Sequence, residues 1–196
     1  MYKIYDDVLS VEEQDEFQKT VLNSNFPWYW VEADGVSYTS NEKAQKKYSD
    51  KNTKETKLMV HSFHKGGKPN SELYSIVETL LHKFIERTEQ HYTYIFRCKL
   101  NLQHINNGYP KTSYVCPHVD LPDDHIFDVL IYYPIASDGN TILFKNRDKE
   151  NYIIEKEVEP KKGRFLLFGG KTLHTNRPPQ LTDIRMSLNY NLGYGT

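Results

Sequence analysis

Cysteine is scarce in this sequence: two residues, Cys98 and Cys116, in a chain of 196. That excludes a disulfide framework and suits a reducing compartment, so a cytoplasmic protein is expected. Net charge is scarce too, at −1, so no global field draws the chain to nucleic acid or to an anionic membrane. Long apolar runs are missing. The longest, Val129 to Tyr133 and Phe165 to Phe168, have the length of strands and fall far short of a membrane span. The first residues carry neither a basic nor an apolar segment, so no export signal is expected. There is no internal repeat and no linker rich in Pro, Gly or Ser. The length fits one domain over residues 1–196, able to bury a core without disulfides or a structural metal.

Aromatic residues, by contrast, are plentiful at 13%, with 15 tyrosines, which favours a β-rich protein over a helical bundle. Two helices stand out. Ser10-Val-Glu-Glu13 is a capping box opening a helix that runs to about Leu22. After Pro69-Asn70-Ser71, the apolar residues Leu73, Ile76, Val77, Leu80, Leu81, Phe84 and Ile85 recur at three- and four-residue spacing, one stripe facing a core. Phe26 to Trp30 reads as a short strand or edge segment. Residues 40–57 are polar and lysine-rich without periodicity, which reads as a long solvated loop.

Past the second helix the period changes to two. Tyr92, Tyr94, Phe96, Cys98, Leu100 and Leu102 alternate with mostly polar neighbours, the pattern of a half-buried strand. Short β-runs follow at Val115–Asp120, Phe127–Tyr133, Thr141–Lys145, Tyr152–Val158, Arg164–Phe168, Thr172–Asn176 and Ile184–Asn191. Turn chemistry separates them at Ser137-Asp-Gly-Asn140, Pro160-Lys-Lys-Gly163 and Asn176-Arg-Pro-Pro179. The expected architecture is mainly β, a sandwich or barrel with flanking helices outside. Helical and covering elements take up about residues 1–91 and the β-core about 92–194.

Within that core, His118-Val119-Asp120 is the segment that suggests chemistry. In a strand, residues i and i+2 point to one face, so His118 and Asp120 can converge on a point. His174, from another strand, would complete two imidazoles and one carboxylate. That is the facial ligand set of non-haem Fe(II) oxygenases, which leaves three cis positions open. Alone, His-x-Asp equally describes a polar outer face. The support comes 11 residues past His174, where Arg185-Met-Ser187 lies beyond a Pro-Pro turn. Arg185, Ser187 and Asn189 share one strand face, and Ile184, Met186, Leu188 and Tyr190 the other. A guanidinium fork with a neighbouring hydroxyl suits the distal carboxylate of a dicarboxylic acid whose other end chelates a metal. Alternation alone leaves open which face is buried.

The segment from Arg97 to Tyr194 resembles the 2-oxoglutarate/Fe(II) dioxygenase superfamily, and within it the prolyl-4-hydroxylase-like members, small bacterial and phage-encoded ones included. The stretches that carry the resemblance are Asn106-Asn-Gly-Tyr109, His118-Val-Asp120, Leu130-Ile-Tyr-Tyr133, Gly163-Arg-Phe-Leu-Leu-Phe168, His174 and Arg185-Met-Ser187. The resemblance implies a double-stranded β-helix, a jelly-roll of the cupin-like kind. It implies Fe(II) on His118, Asp120 and His174, and 2-oxoglutarate on Arg185 and Ser187, with O2 as the oxidant. Tyr133 matches a tyrosine that in such hydroxylases hydrogen-bonds the co-substrate carboxylate, and Gln103, or else His104, falls where another co-substrate-facing residue stands. Animal collagen-type members use lysine where this chain has Arg185, and their Tyr-x-Pro-Gly element appears here as His104-Ile-Asn-Asn-Gly108. Both departures bear on the substrate rather than the chemistry.

The remaining candidates read mainly as structure. His61 and His64, three apart in a strand, are expected to face opposite sides. His82 and His91 sit on or just after the long helix, half exposed, and His125 belongs to a loop. Cys116 reads as a small buried thiol. Arg177 rivals Arg185 as an anchor but stands three residues from His174, beside two prolines. Trp28, Trp30 and Tyr114 would either wall a substrate cleft or belong to an aromatic core.

Three functions compete on these residues. A hydroxylase acting on a prolyl or related side chain of a peptide or protein leads, with a small molecule as the other substrate expected. An AlkB-like nucleic-acid demethylase would place a second arginine six residues past Arg185, where this chain has Asn191, and the near-neutral charge gives nucleic acid no help. A cupin-type metal protein without oxygenase activity would not need Arg185 and Ser187 on the metal-facing side. Oligomeric state has no signature in the sequence.

Overall fold

A computed structural model describes residues 1–31, 48–54, 56–122, 124–148 and 150–194. Two helices and eleven strands are described, in the order β1 (Tyr2–Tyr5), α1 (Val11–Val21), β2 (Tyr29–Val31), β3 (Leu58–Lys65), β4 (Lys68–Pro69), α2 (Tyr74–Thr88), β5 (Tyr94–His104), β6 (Phe127–Tyr132), β7 (Thr141–Phe144), β8 (Ile154–Val158), β9 (Phe165–Gly169), β10 (His174–Asn176) and β11 (Ile184–Gly193). The large sheet runs β1-β9-β6-β11-β5-β3-β2, with β4 on β3, and a small sheet runs β10-β7-β8. Every strand pairing in both sheets is antiparallel. The expected mainly β architecture with flanking helices is the one that forms.

The alternation of each long strand decides what lies on either side of the large sheet. Leu100 and Leu102 of β5, Leu130 and Tyr132 of β6, and Met186, Leu188 and Tyr190 of β11 point outward into one apolar cluster. Phe17 and Val21 of α1 and Val77, Leu80, Leu81 and Phe84 of α2 meet them there. Val129 and Ile131 of β6 point the other way and pack with Leu143, Val158, Leu166 and Phe168 between the sheets. The same face of β5 and β11 carries polar residues, and these are buried as well.

The capping box of α1 forms as read. Ser10 Oγ accepts from Glu13 N at 3.2 Å, and Ser10 N donates to Glu13 Oε2 at 2.8 Å. Glu13 also accepts from both terminal nitrogens of Arg87 at 2.6 and 2.9 Å, so one side chain caps α1 and ties it to α2.

Several expectations need correction. Val115–Asp120 is not a regular strand. It forms one isolated bridge, His118 with His174, and a single further backbone bond from Val115 N to Asn176 O at 3.0 Å. Pro117 has no N–H to give a ladder, which explains the break. His61 and His64 do not face opposite sides. A bulge between Ser62 and His64 sets them opposite Leu100 and Cys98, two positions apart on β5, and so on one face. His61 is held there by Pro27 O and Ser71 Oγ at 2.7 and 2.8 Å. His82 and His91 are exposed. Of the lysine-rich stretch, residues 40–47 and 55 lie outside the described residues. Its remainder starts at Tyr48, which is buried rather than solvated. Trp28 packs against the helix-side cluster, Trp30 is exposed, and Tyr114 is buried with Phe144. No helix among the described residues is long and apolar enough to cross a membrane.

Candidate active site

The site is built on two backbone hydrogen bonds. His118 N donates to His174 O at 2.9 Å, and His174 N donates to His118 O at 3.0 Å. Such a closely exchanged antiparallel pair puts both side chains on one face, and the two imidazole centroids stand 4.6 Å apart. Asp120, two residues on, returns to the same point. Its Oδ1 lies 3.6 Å from His118 Nε2 and its Oδ2 lies 3.9 Å from His174 Nε2. Among the described residues this trio is the one group of His, Cys, Asp or Glu whose ligand atoms gather, all within 4.8 Å.

Both imidazoles turn a bare nitrogen toward the point shared with Asp120. His118 Nδ1 meets Cys116 O at 3.1 Å and His174 Nδ1 meets Thr172 O at 3.0 Å. A carbonyl can only accept, so the proton sits on Nδ1 and the Nε2 lone pair faces the centre. His174 Nε2 is buried with no hydrogen-bond partner among the described residues, so its lone pair is free for a cation. Burial pushes His118 down to about 3, with the neighbouring His174 adding to the effect, and burial lowers His174 as well. Both rings are therefore neutral near pH 7. Burial alone would raise Asp120, but Arg97 and the two histidines outweigh it and hold the carboxyl well below the usual range. Two neutral imidazoles and one carboxylate fit a divalent metal such as Fe(II).

A second constellation lies in the same space between the sheets. Arg185 is 4% exposed. Its Nε donates to Gly139 O at 2.6 Å, Nη1 to Ser187 Oγ at 3.1 Å and Nη2 to Thr141 Oγ1 at 2.8 Å. Three of its five N–H groups are thereby used, and two on the terminal nitrogens remain for a carboxylate. Tyr133 Oη donates to the same Thr141 oxygen at 2.7 Å, and the guanidinium carbon stands 5.9 Å from the Tyr133 ring centre. Gln103 is the direct β5 partner of Arg185 and is buried, with Oε1 accepting from Asn176 Nδ2 at 2.6 Å. His104 is exposed and points away. Arg177 pairs with Glu157 rather than entering this space. His125 rests against Asp124, outside the trio.

Sequence reasoning named Gln103 but missed the rest of its row. Arg97, Lys99, Asn101 and Gln103 stand opposite Asn191, Asn189, Ser187 and Arg185 along the β5–β11 ladder. The polar neighbours on β5 were expected to meet solvent; instead Arg97 and Lys99 are buried, and Lys99 and Asn101 border the same cavity as His118, His174 and Arg185. Thr141 was missed too. The available signal was two polar period-two stripes in strands that also carry a full apolar stripe, a combination expected when both faces are covered.

No family model and no curated protein sequence matches the chain. Solved structures do. The non-heme alpha ketoglutarate dependent epimerase SnoN from nogalamycin biosynthesis superposes with a TM-score of 0.64 at 12% identity, covering 100% of this chain and 78% of that one. A 2OG-Fe(II) oxygenase family oxidoreductase from Burkholderia pseudomallei gives 0.60 at 15% identity, over 98% and 84% of the two chains. A prolyl hydroxylase from Trichoplax adhaerens, in complex with a hypoxia inducible factor peptide fragment, gives 0.56 at 16%, over 98% and 83%. The fold is that of the prolyl-4-hydroxylase-like 2-oxoglutarate/Fe(II) oxygenases. In this oxygenase fold the two sheets are the walls of a jelly-roll, and the His118–Asp120–His174 trio and Arg185 both face the space the walls enclose.

Proposed function

We propose that the protein is an Fe(II)- and 2-oxoglutarate-dependent dioxygenase that hydroxylates a prolyl or other side chain of a peptide or protein. The observation that carries the reading is the pairing, inside one jelly-roll, of a buried two-histidine, one-carboxylate cluster with a buried guanidinium that keeps two N–H groups to spare. A cupin-type metal protein has no use for the second half of that arrangement. The peptide substrate is supported by the likeness to a prolyl hydroxylase fold, itself solved with a peptide.

His118, Asp120 and His174 would hold the iron, and Arg185 with Ser187 would take the distal carboxylate of the co-substrate. When bound, iron and 2-oxoglutarate supply an O2-dependent oxidation that releases succinate and CO2 and places one oxygen atom on a substrate carbon. The chain's own contribution is position and exclusion of water. Carbonyl contacts at Nδ1 orient both imidazoles. Thr141 accepts from Tyr133 and from Arg185, which fills its two lone pairs and leaves its own proton to donate to a carboxylate. The apolar wall of Ile131, Leu143 and Phe168 keeps the surroundings dry, which strengthens every charged contact inside.

The test is succinate release from 2-oxoglutarate by the purified protein with Fe(II), across peptide, amino-acid and oligonucleotide libraries. Stimulation by peptides is the expected result. Stimulation by methylated oligonucleotides instead would favour the demethylase reading. The His174→Ala protein is expected to release none, and Arg185→Ala to lose roughly 2–5 kcal/mol of co-substrate binding. Full turnover by either variant would remove the corresponding assignment.

A further inference from the structure

The carboxylate of Asp120 is more heavily engaged than a metal ligand needs to be. Oδ2 accepts from Asn189 Nδ2 at 3.1 Å and from Asn191 Nδ2 at 2.8 Å. Oδ1 is ion-paired with Arg97 Nη2 at 2.6 Å. Two of the three partners, Arg97 and Asn191, are themselves interlocked. Arg97 Nε donates to Asn191 Oδ1 at 2.9 Å, so the oxygen of that amide is fixed on the arginine side and its NH2 group must face Asp120. All four residues are buried, with Asn191 fully so. Arg97 stands directly opposite Asn191 on the β5–β11 ladder, and Asn189 lies two positions before Asn191 on the same face of β11.

A carboxylate offers about four lone-pair directions. The two on Oδ2 are taken by the asparagines, while Arg97 Nη2 approaches Oδ1 as an ion pair outside hydrogen-bond angles. The lone pairs left for a metal are on Oδ1, the oxygen nearest His118 Nε2. We propose that Arg97, Asn189 and Asn191 form a clamp that restricts Asp120 to ligating metal through Oδ1 alone, with Arg97 as the positioning residue that also orients Asn191. A second coordinating oxygen would occupy one of the positions that co-substrate and O2 require, so the clamp keeps the centre open. Lysine cannot replace Arg97, because an ammonium lacks the planar fork that reaches Asn191 and Asp120 together. This inference rests on the metal-site reading of the trio proposed above.

Metal binding without turnover tests it. Mn(II) affinity and the visible absorption of the Co(II)-loaded protein, which responds to coordination number, are measured for wild type, Arg97→Met, Arg97→Lys and Asn189→Leu. Asn189→Leu is the gentle variant, since Asn189 Oδ1 is already buried without a partner among the described residues and no charge is removed. Both Arg97 variants are expected to weaken Mn(II) binding about 10- to 100-fold, as loss of such outer partners does. Asn189→Leu is expected to shift the Co(II) spectrum by freeing one of the two occupied lone-pair directions on Oδ2. A wild-type Co(II) spectrum in Asn189→Leu, or full recovery of Mn(II) affinity by Arg97→Lys, would overturn the clamp. If wild type binds no metal, the reading of the trio falls and the clamp with it. If metal binds as described but 2-oxoglutarate is not consumed, the oxygenase reading alone is lost and the clamp stands.

Discussion

Gly139 and Arg185 touch in a way that leaves no room for a side chain between them. The Gly139 carbonyl accepts from Arg185 Nε at 2.6 Å, and a Cβ on Gly139 would sit 2.8 Å from Arg185 Cδ and 2.7 Å from the backbone oxygen of Arg177. Backbone cannot yield as a flexible side chain does, so Gly139→Ala is expected to move the guanidinium. Misplacement by about 1 Å can cost on the order of a hundredfold, and a loss of that size in affinity for a non-reactive 2-oxoglutarate analogue is expected in the Mn(II)-loaded variant. Calorimetric titration reads it directly. Unchanged analogue affinity would show that the guanidinium position does not matter to binding.

Thr141 joins Arg185 to Tyr133 through one oxygen. Thr141→Val keeps the shape but leaves the Tyr133 hydroxyl and one Arg185 N–H buried against a methyl group. Unsatisfied donors of this kind cost about 1–3 kcal/mol, so analogue affinity should fall roughly ten- to hundredfold while Mn(II) affinity holds. Thr141→Ser, which restores the oxygen, should recover most of it. Equal binding by the valine and wild-type proteins would remove Thr141 from the co-substrate end.

How much of this could be read from residue order is clear at particular positions. His118, Asp120 and Arg185 were legible because their spacing, together with His174, matches a ligand set and an anchor with a stated chemical need. The β11 stripe was legible in composition but not in polarity: Arg185, Ser187 and Asn189 versus Met186, Leu188 and Tyr190 alternate equally well either way round. The packing of α1 and α2 on the apolar stripe is what turns the polar one inward. The role of Arg97 was not legible, because a lone arginine among polar neighbours looks the same on a wet face, and its partner Asn191 lies 94 positions away. His61 and His64 were misjudged because a single inserted residue, invisible in a period-two pattern, reverses which face follows.

The buried histidines make the chelator-treated protein sensitive to mild acid. Burial lowers His118 to about 3 and lowers His174 below its ordinary value of 6.5. Between those values the unfolded chain takes up protons that the folded chain refuses, so stability falls as pH drops below 6.5. Each such group contributes a slope approaching about 1.4 kcal/mol per pH unit. Urea unfolding from pH 7 to pH 5 should show this decline, shallower in His118→Gln, which has one fewer group to protonate. A flat profile for wild type would mean that neither ring is held neutral.

Asp138 controls the approach to β11 from the turn that carries Gly139. Its Oδ2 accepts from the backbone N–H of Gln180 and Leu181 at 2.9 and 3.0 Å, and Oδ1 from Thr182 N and Oγ1 at 3.1 and 2.8 Å. Burial opposes its ionisation, yet these donors outweigh burial and hold the carboxyl below its ordinary value. Hydrogen bonds to a charged acceptor contribute about 1.5–3 kcal/mol apiece, and they are not additive, so Asp138→Ala is expected to cost about 2–4 kcal/mol of stability. The same loop sets where Arg185 begins its strand, so analogue affinity should fall along with the melting temperature. Asp138→Asn separates the two effects: the amide can still accept through its one oxygen but loses the charge and half the acceptors. It should retain the fold and part of the analogue affinity, lying between alanine and wild type in both measurements. If asparagine instead matches wild type in stability and affinity alike, the ionised carboxylate is not what holds this turn.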